Sequence, residues 1–314
     1  MKPLGMALLL RIPLATAAAI IVLAVLFVPA CQRPEYWLGL PRQDFAPAAL
    51  ALALTPVILT GGIDLSVGSI AVFAAVVIGA LWRDYGWPLE AAMAAGVFAG
   101  LLVGLGNGTM VAAGVPSLVA TLATRELFRG LALGISGDAP VTNFPSSLDS
   151  FWRSSILSLP VPLLILAILF LLHYIAVHHT WVGRMVFALG DNERAARFAG
   201  LPVGRLKLGI FAWSGLIAGL CGAALVCKYG AAKANAEKTL ELTAIACVVM
   251  GGVRVTGGAG HVGGTLVGII TVSVLLAAVS DIDPTWRDPI LGVALITVAL
   301  ANEAAARFVA RYGA

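Results

Sequence analysis

The chain has 314 residues, 60% of them hydrophobic and only 11% charged, with a mean hydropathy of +0.97. Soluble domains carry about 25% charged residues, so the composition excludes a soluble globular protein and implies an all-α polytopic membrane bundle forming one domain over residues 1–314. The net charge of +4 does not imply nucleic acid, because membrane proteins keep Lys and Arg in cytoplasmic loops and no basic run here is interleaved with aromatics.

Lys2 and Arg11 precede an apolar run, Ile12–Ala30. It approaches the roughly 20 residues a span requires and reads as a retained first helix; a cleaved signal peptide has the same layout. The polar stretch Gln32–Asp44 carries Tyr36 and Trp37, which suit a membrane interface. A second span is expected over Pro47–Thr60 and a third over Leu65–Trp82. Between them, Leu59–Ser69 gathers Gly61, Gly62, Asp64, Ser66 and Gly68. The glycine pair should break the helix, and Asp64 or Ser66 is expected to cap the one that restarts. Polar backbone at this depth must be packed in protein or line a water-filled path.

Trp82–Trp87 reads as an aromatic interfacial turn. The fourth span, Pro88–Leu105, is rich in Ala and Gly, which let helix backbones approach closely, and is expected at the centre of the bundle. A second break is expected at Gly104–Gly108, around Asn107. The fifth span, Val115–Ser136, carries Arg125, Glu126 and Arg129. Charges at such depth cost several kcal/mol on insertion scales and face the bundle interior or an aqueous path. Glu126 and Arg129, three apart, can pair on one helix face. Asp64, Ser66, Asn107, Arg125, Glu126 and Arg129 are therefore the candidate solute-pathway residues.

After a polar loop at 137–158, the sixth span is expected over Leu159–Val177, the seventh over Leu208–Lys228 and the short eighth over Leu242–Val253. The ninth covers Thr265–Val279 and the tenth Ile290–Ala305. The segment 178–207 holds Arg184, Arg194, Arg197, Arg205 and Lys207 against Asp191 and Glu193, which marks it as cytoplasmic. Both termini, with Arg307 and Arg311 at one of them, then lie inside, and 137–158 lies outside. Within the cytoplasmic segment, Gly190, Asp191 and Asn192 lead into a short helix with Glu193 in its first turn and Arg197 in its last. Gly200 and Pro202 stop it. Such a defined start and stop suits a helix that docks on a cytoplasmic partner. Val249–Val253, with Gly251 and Gly252, resembles Leu59–Ile63, and interrupted helices in two halves of a chain point to a transporter's binding region.

No catalytic or metal-binding arrangement is legible. Gly258, Gly260 and Gly263 match a dinucleotide pattern by glycine density alone, with no strand before them, and no P-loop occurs. His173, His178 and His179 cluster at the end of the sixth span, where interfacial solvation explains them, and His261 lies in a glycine-rich turn. The four cysteines form no CxxC pair, and three lie in apolar segments as small hydrophobes. No cofactor is expected on this chain.

The run Leu59-Thr-Gly-Gly-Ile-Asp-Leu-Ser-Val-Gly-Ser69 resembles the signature of permease subunits of ribose-type sugar ABC importers. The resemblance continues through Asn107-Gly108, Pro116-Ser-Leu-Val-Ala-Thr-Leu, Phe128-Arg129-Gly130, Ala188-Leu-Gly190-Asp-Asn192, Ala199-Gly200, Val249-Met-Gly-Gly252 and Gly257-Gly-Ala-Gly260, in order over about residues 45–300. It implies a two-permease core in the bacterial cytoplasmic membrane, fed by a solute-binding protein. ATP and Mg would be handled by a separate cytoplasmic ATPase docked on Gly190–Gly200. Relatives of this kind carry ribose, xylose, galactose, rhamnose or autoinducer-2, and the motifs do not separate them. Ala123 and Arg125 depart from the usual Leu-Gly-Thr-Met. The alternatives are a secondary transporter or channel working without an ATPase, or a membrane receptor or scaffold.

Overall fold

The computed structural model describes residues 29–282, except 138, 237 and 238, with isolated positions between 15 and 26 and between 289 and 297. The expected first and tenth spans and the terminal charges Lys2, Arg11, Arg307 and Arg311 fall outside this described body. Within it, after a 3-10 turn at Pro29–Gln32, stand twelve helices and one two-stranded hairpin. The helices are α1 Pro34–Gln43, α2 Phe45–Leu59, α3 Val67–Arg83, α4 Leu89–Ala112, α5 Ser117–Ser136, α6 Ser146–Arg153, α7 Val161–His179, α8 Trp181–Asp191, α9 Glu193–Phe198, α10 Val203–Tyr229, α11 Leu240–Met250 and α12 Val262–Ile282. The hairpin pairs β1 Ser155–Ile156 with β2 Leu159–Pro160. By length and composition α4, α7 and α10 can cross a membrane, while α2, α3, α11 and the apolar part of α12 are shorter.

Of the three long apolar helices, α10 rather than α4 is the one enclosed by the bundle. Of its apolar stretch 83% is buried, against 28% for α4, and it packs on α2, α3 and α4. The glycines of α4 serve this contact from the edge. Gly100 faces Gly215 and Gly219, Gly104 faces Phe211 and Gly215, and Gly108 faces Leu208. The descending partners make the two helices antiparallel. A Cβ on Gly104 would stand 2.5 Å from the Phe211 carbonyl oxygen, so only backbone fits. This also corrects the expected break at Gly104–Gly108: α4 runs unbroken to Ala112, and its glycines lie in a packing seam.

Two ends of the bundle are thereby defined. One gathers α8, α9, the start of α10 and the end of α2. The opposite end gathers α1, α6, the hairpin and the end of α10, tied by Arg42 donating to the Arg153 carbonyl and by Lys228 donating to that of Gln43. A backbone bridge there pairs Val141 with Ala232. From Ala232 the chain descends into the bundle, so that α11 begins beside Gly68 and Arg125 in the interior. With 11 residues, α11 is about 16 Å long and spans only half the bilayer.

Candidate functional site

The expected break after α2 is present, and its cap is specific. Gly61 takes a φ of +76°, its N–H donates to Ile58 and the N–H of Gly62 donates to Val57. This is the paired bonding of a Schellman cap, whose left-handed residue is usually glycine. The end of α11 repeats it: Gly252 has a φ of +81° and donates to Val249, while Val253 donates to Val248. The two ends are geometric equivalents, with Gly61 matching Gly252. That is one residue away from the match the sequence offers, where Gly61 aligns with Gly251.

Past the break, the exposed polar backbone is satisfied by α5. Ser117 accepts from the Ile63 N–H, and Thr121 accepts from Leu65 while donating to the Ile63 carbonyl. Asp64 does not cap α3 at its second or third N–H group. Its Oδ1 accepts from both the backbone and the hydroxyl of Ser66, and its Oδ2 accepts from Ser214, 3.0 Å away near the midpoint of α10. Asn107 donates to the Ser66 hydroxyl over 2.8 Å and accepts from Thr124 over 2.6 Å. Asp64 is 1% exposed, and α3, α4, α5 and α10 all meet in this chain of bonds. A carboxylate with three donors is the arrangement that makes a buried charge tolerable. Thr124 and Ser214 were not singled out from the sequence, and Ser117 and Thr121 entered only as part of the run Pro116–Leu122; their hydroxyl roles gain meaning only once the helices are assembled.

Arg125 and Glu126 lie at the midpoint of α5, with Arg129 one turn on. The structure pairs Glu126 with its neighbour Arg125 rather than with Arg129. Arg125 also donates through Nε to Glu241 over 2.7 Å. Glu126 is 63% exposed and the Arg125 side chain 28%, whereas Glu241 is 2% exposed. Glu241 packs so tightly on α3 that a Cβ on Gly68 would stand 2.1 Å from its Oε2. This acid was missed in the sequence; the signal for it was an acid at the head of a span too short to cross.

At the α8 end, Asn192 caps α9 by accepting from Ala195, and Glu193 accepts from Arg197 at 2.7 Å and Lys207 at 2.8 Å. Burial pushes the Glu193 carboxyl up, but the hydrogen bonds from Lys207 and Arg197 outweigh it and hold it below its ordinary pKa. Gly200 stops the segment with a φ of +78°, and Phe198 is 93% exposed. Gly190 lies against the end of α2, where an added Cβ would meet the Leu59 carbonyl oxygen at 1.9 Å and the Gly258 N–H nitrogen at 2.5 Å. Asp191 ends α8 beside Gly258.

His179 is exposed, as expected of a solvated interface, but His173, His178 and His261 are packed in the protein. His173 is buried and accepts from Trp213, and the rings of His178 and His261 stack 4.0 Å apart. His178 accepts from the Val262 N–H and His261 from that of Gly263, together capping α12. All four cysteines are buried and free. Among the described residues no cluster of His, Cys, Asp and Glu could hold a metal. A cavity of about 580 Å³ opens between α7, α8 and α10, with His173, Trp213 and Arg205 on otherwise apolar walls, and none of the six candidate pathway residues lines it.

Residues 45–299 match the family model described as branched-chain amino acid transport system / permease component. The chain is 34% identical over 259 residues to the ribose import permease protein of Bacillus subtilis (strain 168), covering 82% of this chain and 80% of that one. It is 37% identical over 241 residues to the ribose import permease protein of Escherichia coli (strain K12), covering 74% of each. To the autoinducer 2 import system permease protein of Yersinia enterocolitica it is 36% identical over 233 residues, covering 72% of this chain and 70% of that one. No solved structure matches. The resemblance carried by Leu59–Ser69 thus extends as 34–37% identity along most of the chain, which belongs to this permease-component family and is a multi-pass protein of the bacterial inner membrane, not itself a catalytic subunit.

Proposed function

We propose that the chain is the membrane-crossing subunit of an ATP-driven importer for a sugar or sugar-like solute of the ribose and autoinducer-2 class. The observation that carries the reading is the charged pair at the midpoint of α5, half-buried Arg125 with exposed Glu126. Charges at that depth do not face lipid, so this face of α5 lines a polar path or meets another protein. The rest of it is apolar, with Leu118, Val119 and Leu122 exposed, which suits a second permease subunit packed alongside.

Arg125, Glu126 and Arg129 then face the solute, while Asp64, Ser66 and Asn107 hold the wall behind them. Although the family model is described by amino-acid transport, the relatives compared above are named for ribose and autoinducer 2. Alternating guanidinium and carboxylate groups offer the donors and acceptors that hydroxylated solutes use. The α8–α9 end, with Gly190, Asp191, Asn192, Glu193, Arg197 and Gly200, is the docking surface for a cytoplasmic ATPase that binds ATP and Mg. Exposed Phe198 and the basic residues around it support this, as does the internal clamp on Glu193. A solute-binding protein meets the opposite end. About ten spans with both termini cytoplasmic, in one membrane domain over 1–314, complete the reading.

The test is uptake of labelled ribose and autoinducer-2 into proteoliposomes holding the permease with its ATPase and binding protein. Uptake that requires ATP supports the proposal. Uptake driven by an ion gradient without an ATPase refutes it in favour of a secondary transporter.

A further inference from the structure

Glu241 is a buried acid to which the pathway reading gives no role, and its surroundings specify one. Its Oε1 holds the Nε of Arg125 at 2.7 Å. Its Oε2 is buried with no hydrogen-bond partner. A carboxylate oxygen left unpaired in the interior costs stability, and each such group calls for a reason beyond folding. Arg125 is meanwhile held from two sides, by buried Glu241 through Nε and by exposed Glu126 through a terminal nitrogen. That fixes the guanidinium plane on the surface of α5 beside an exposed carboxylate. Geometry preset in this way presents hydrogen-bond donors and an acceptor side by side, matching adjacent hydroxyls on one solute.

We infer that Glu241 is a positioning residue for solute recognition inside the membrane: it orients Arg125 so that Arg125 and Glu126 together bind the hydroxyls of a neutral polyol. With Arg129 one turn on, two guanidiniums stand against two carboxylates, so the site offers donors and acceptors without net charge, as an uncharged polyol requires. Gly68 is part of the device, because any larger residue would displace the Glu241 carboxylate. The inference rests on the importer reading above.

The test compares Arg125→Met, Glu241→Gln and the double variant in proteoliposomes with ATPase and binding protein, using labelled ribose. Thermal stability, ATPase activity and solute moved per ATP are measured separately. Arg125→Met leaves a buried carboxylate unpaired and should melt earlier; the double variant should recover most of that stability. Recovered stability with at least a tenfold loss of ribose moved per ATP, and ATPase activity still stimulated by loaded binding protein, supports the assignment. Glu241→Gln should raise the KM for uptake several-fold with a smaller effect on kcat. If the double variant recovers both stability and wild-type uptake, the pair is structural and the inference fails. If the wild-type ATPase is not stimulated by loaded binding protein, the importer reading itself fails.

Discussion

Replacing Gly190 by alanine is the most direct probe of how the two ends of the chain's broken helices are joined. The residue lies within α8 at a φ that alanine tolerates, so the substitution gains about 1 kcal/mol of helix propensity. Against this, the new Cβ would sit 1.9 Å from the Leu59 carbonyl oxygen and 2.5 Å from the Gly258 nitrogen. Those two atoms are themselves hydrogen-bonded at 2.9 Å. To restore ordinary contact near 3.4 Å, α8 must retreat by about 1.5 Å from Leu59. Forced repacking costs about 1–3 kcal/mol, and the disturbed hydrogen bond adds about 1 kcal/mol. The net loss is about 1–3 kcal/mol, which lowers the melting temperature by roughly 2–5 °C for a chain of this size. The assay is thermal unfolding of the purified protein in detergent, with Gly134→Ala as control. Gly134 has open space around its Cβ position, so that variant should be neutral or slightly stabilised. If the two variants melt together, the contact at Gly190 is looser than described and the reasoning is wrong.

Three further outcomes are expected. Asp64→Ala strands the donors on Ser66 and Ser214 and should cost roughly 3 kcal/mol or more at 1–3 kcal/mol per unsatisfied group; a variant that melts and transports as wild type would falsify the junction's importance. Glu193→Ala with Arg197→Ala should leave membrane insertion intact while uncoupling ATP hydrolysis from uptake, and unchanged coupling would sink the docking assignment. Because the folded pKa of Glu193 lies below its ordinary 4.5, its contribution to stability is complete above that value and fades as pH falls through the lower folded value. The wild-type clamp should therefore be insensitive to pH between roughly 6 and 8. Finally, His178→Ala removes the acceptor for the Val262 N–H and should cost about 1 kcal/mol as other cap losses do. Hydrogen exchange at Val262 should quicken, and unchanged exchange would show that the cap is dispensable.

The sequence was most legible where glycine acts through its own backbone. Gly61–Gly62 announced the end of α2, and Gly251–Gly252 announced the end of α11, because a left-handed cap is a local property. It was least legible where glycine acts through its neighbours. Gly104 and Gly108 have the same composition signal as a break, yet they sit mid-helix, because Phe211, Gly215 and Leu208 of α10 approach them. The same density misplaced α4 at the centre, since small residues announce a close contact without saying how many sides of the helix are in contact. The spacing of Glu126 and Arg129 allowed a pair, but Arg125 took Glu126 while binding Glu241, a partner 116 positions away. Such a contact depends on the chain entering the bundle after Ala232. The family signature was fully readable; the hydroxyl groups that satisfy it were not.

The joint at Gly190 has a mechanical meaning. Leu59 ends α2, Gly258 belongs to the loop that follows half-spanning α11, and both press on the same turn of α8. A contact made by side chains has play in it, because rotamers can shift to absorb a small displacement. Here backbone bears on backbone, with no rotamer to yield. The turn acts as a yoke: it bears at once on the end of α2 and on the loop beyond the cap of α11, so a shift of α8 is not absorbed by side-chain rotation at either contact.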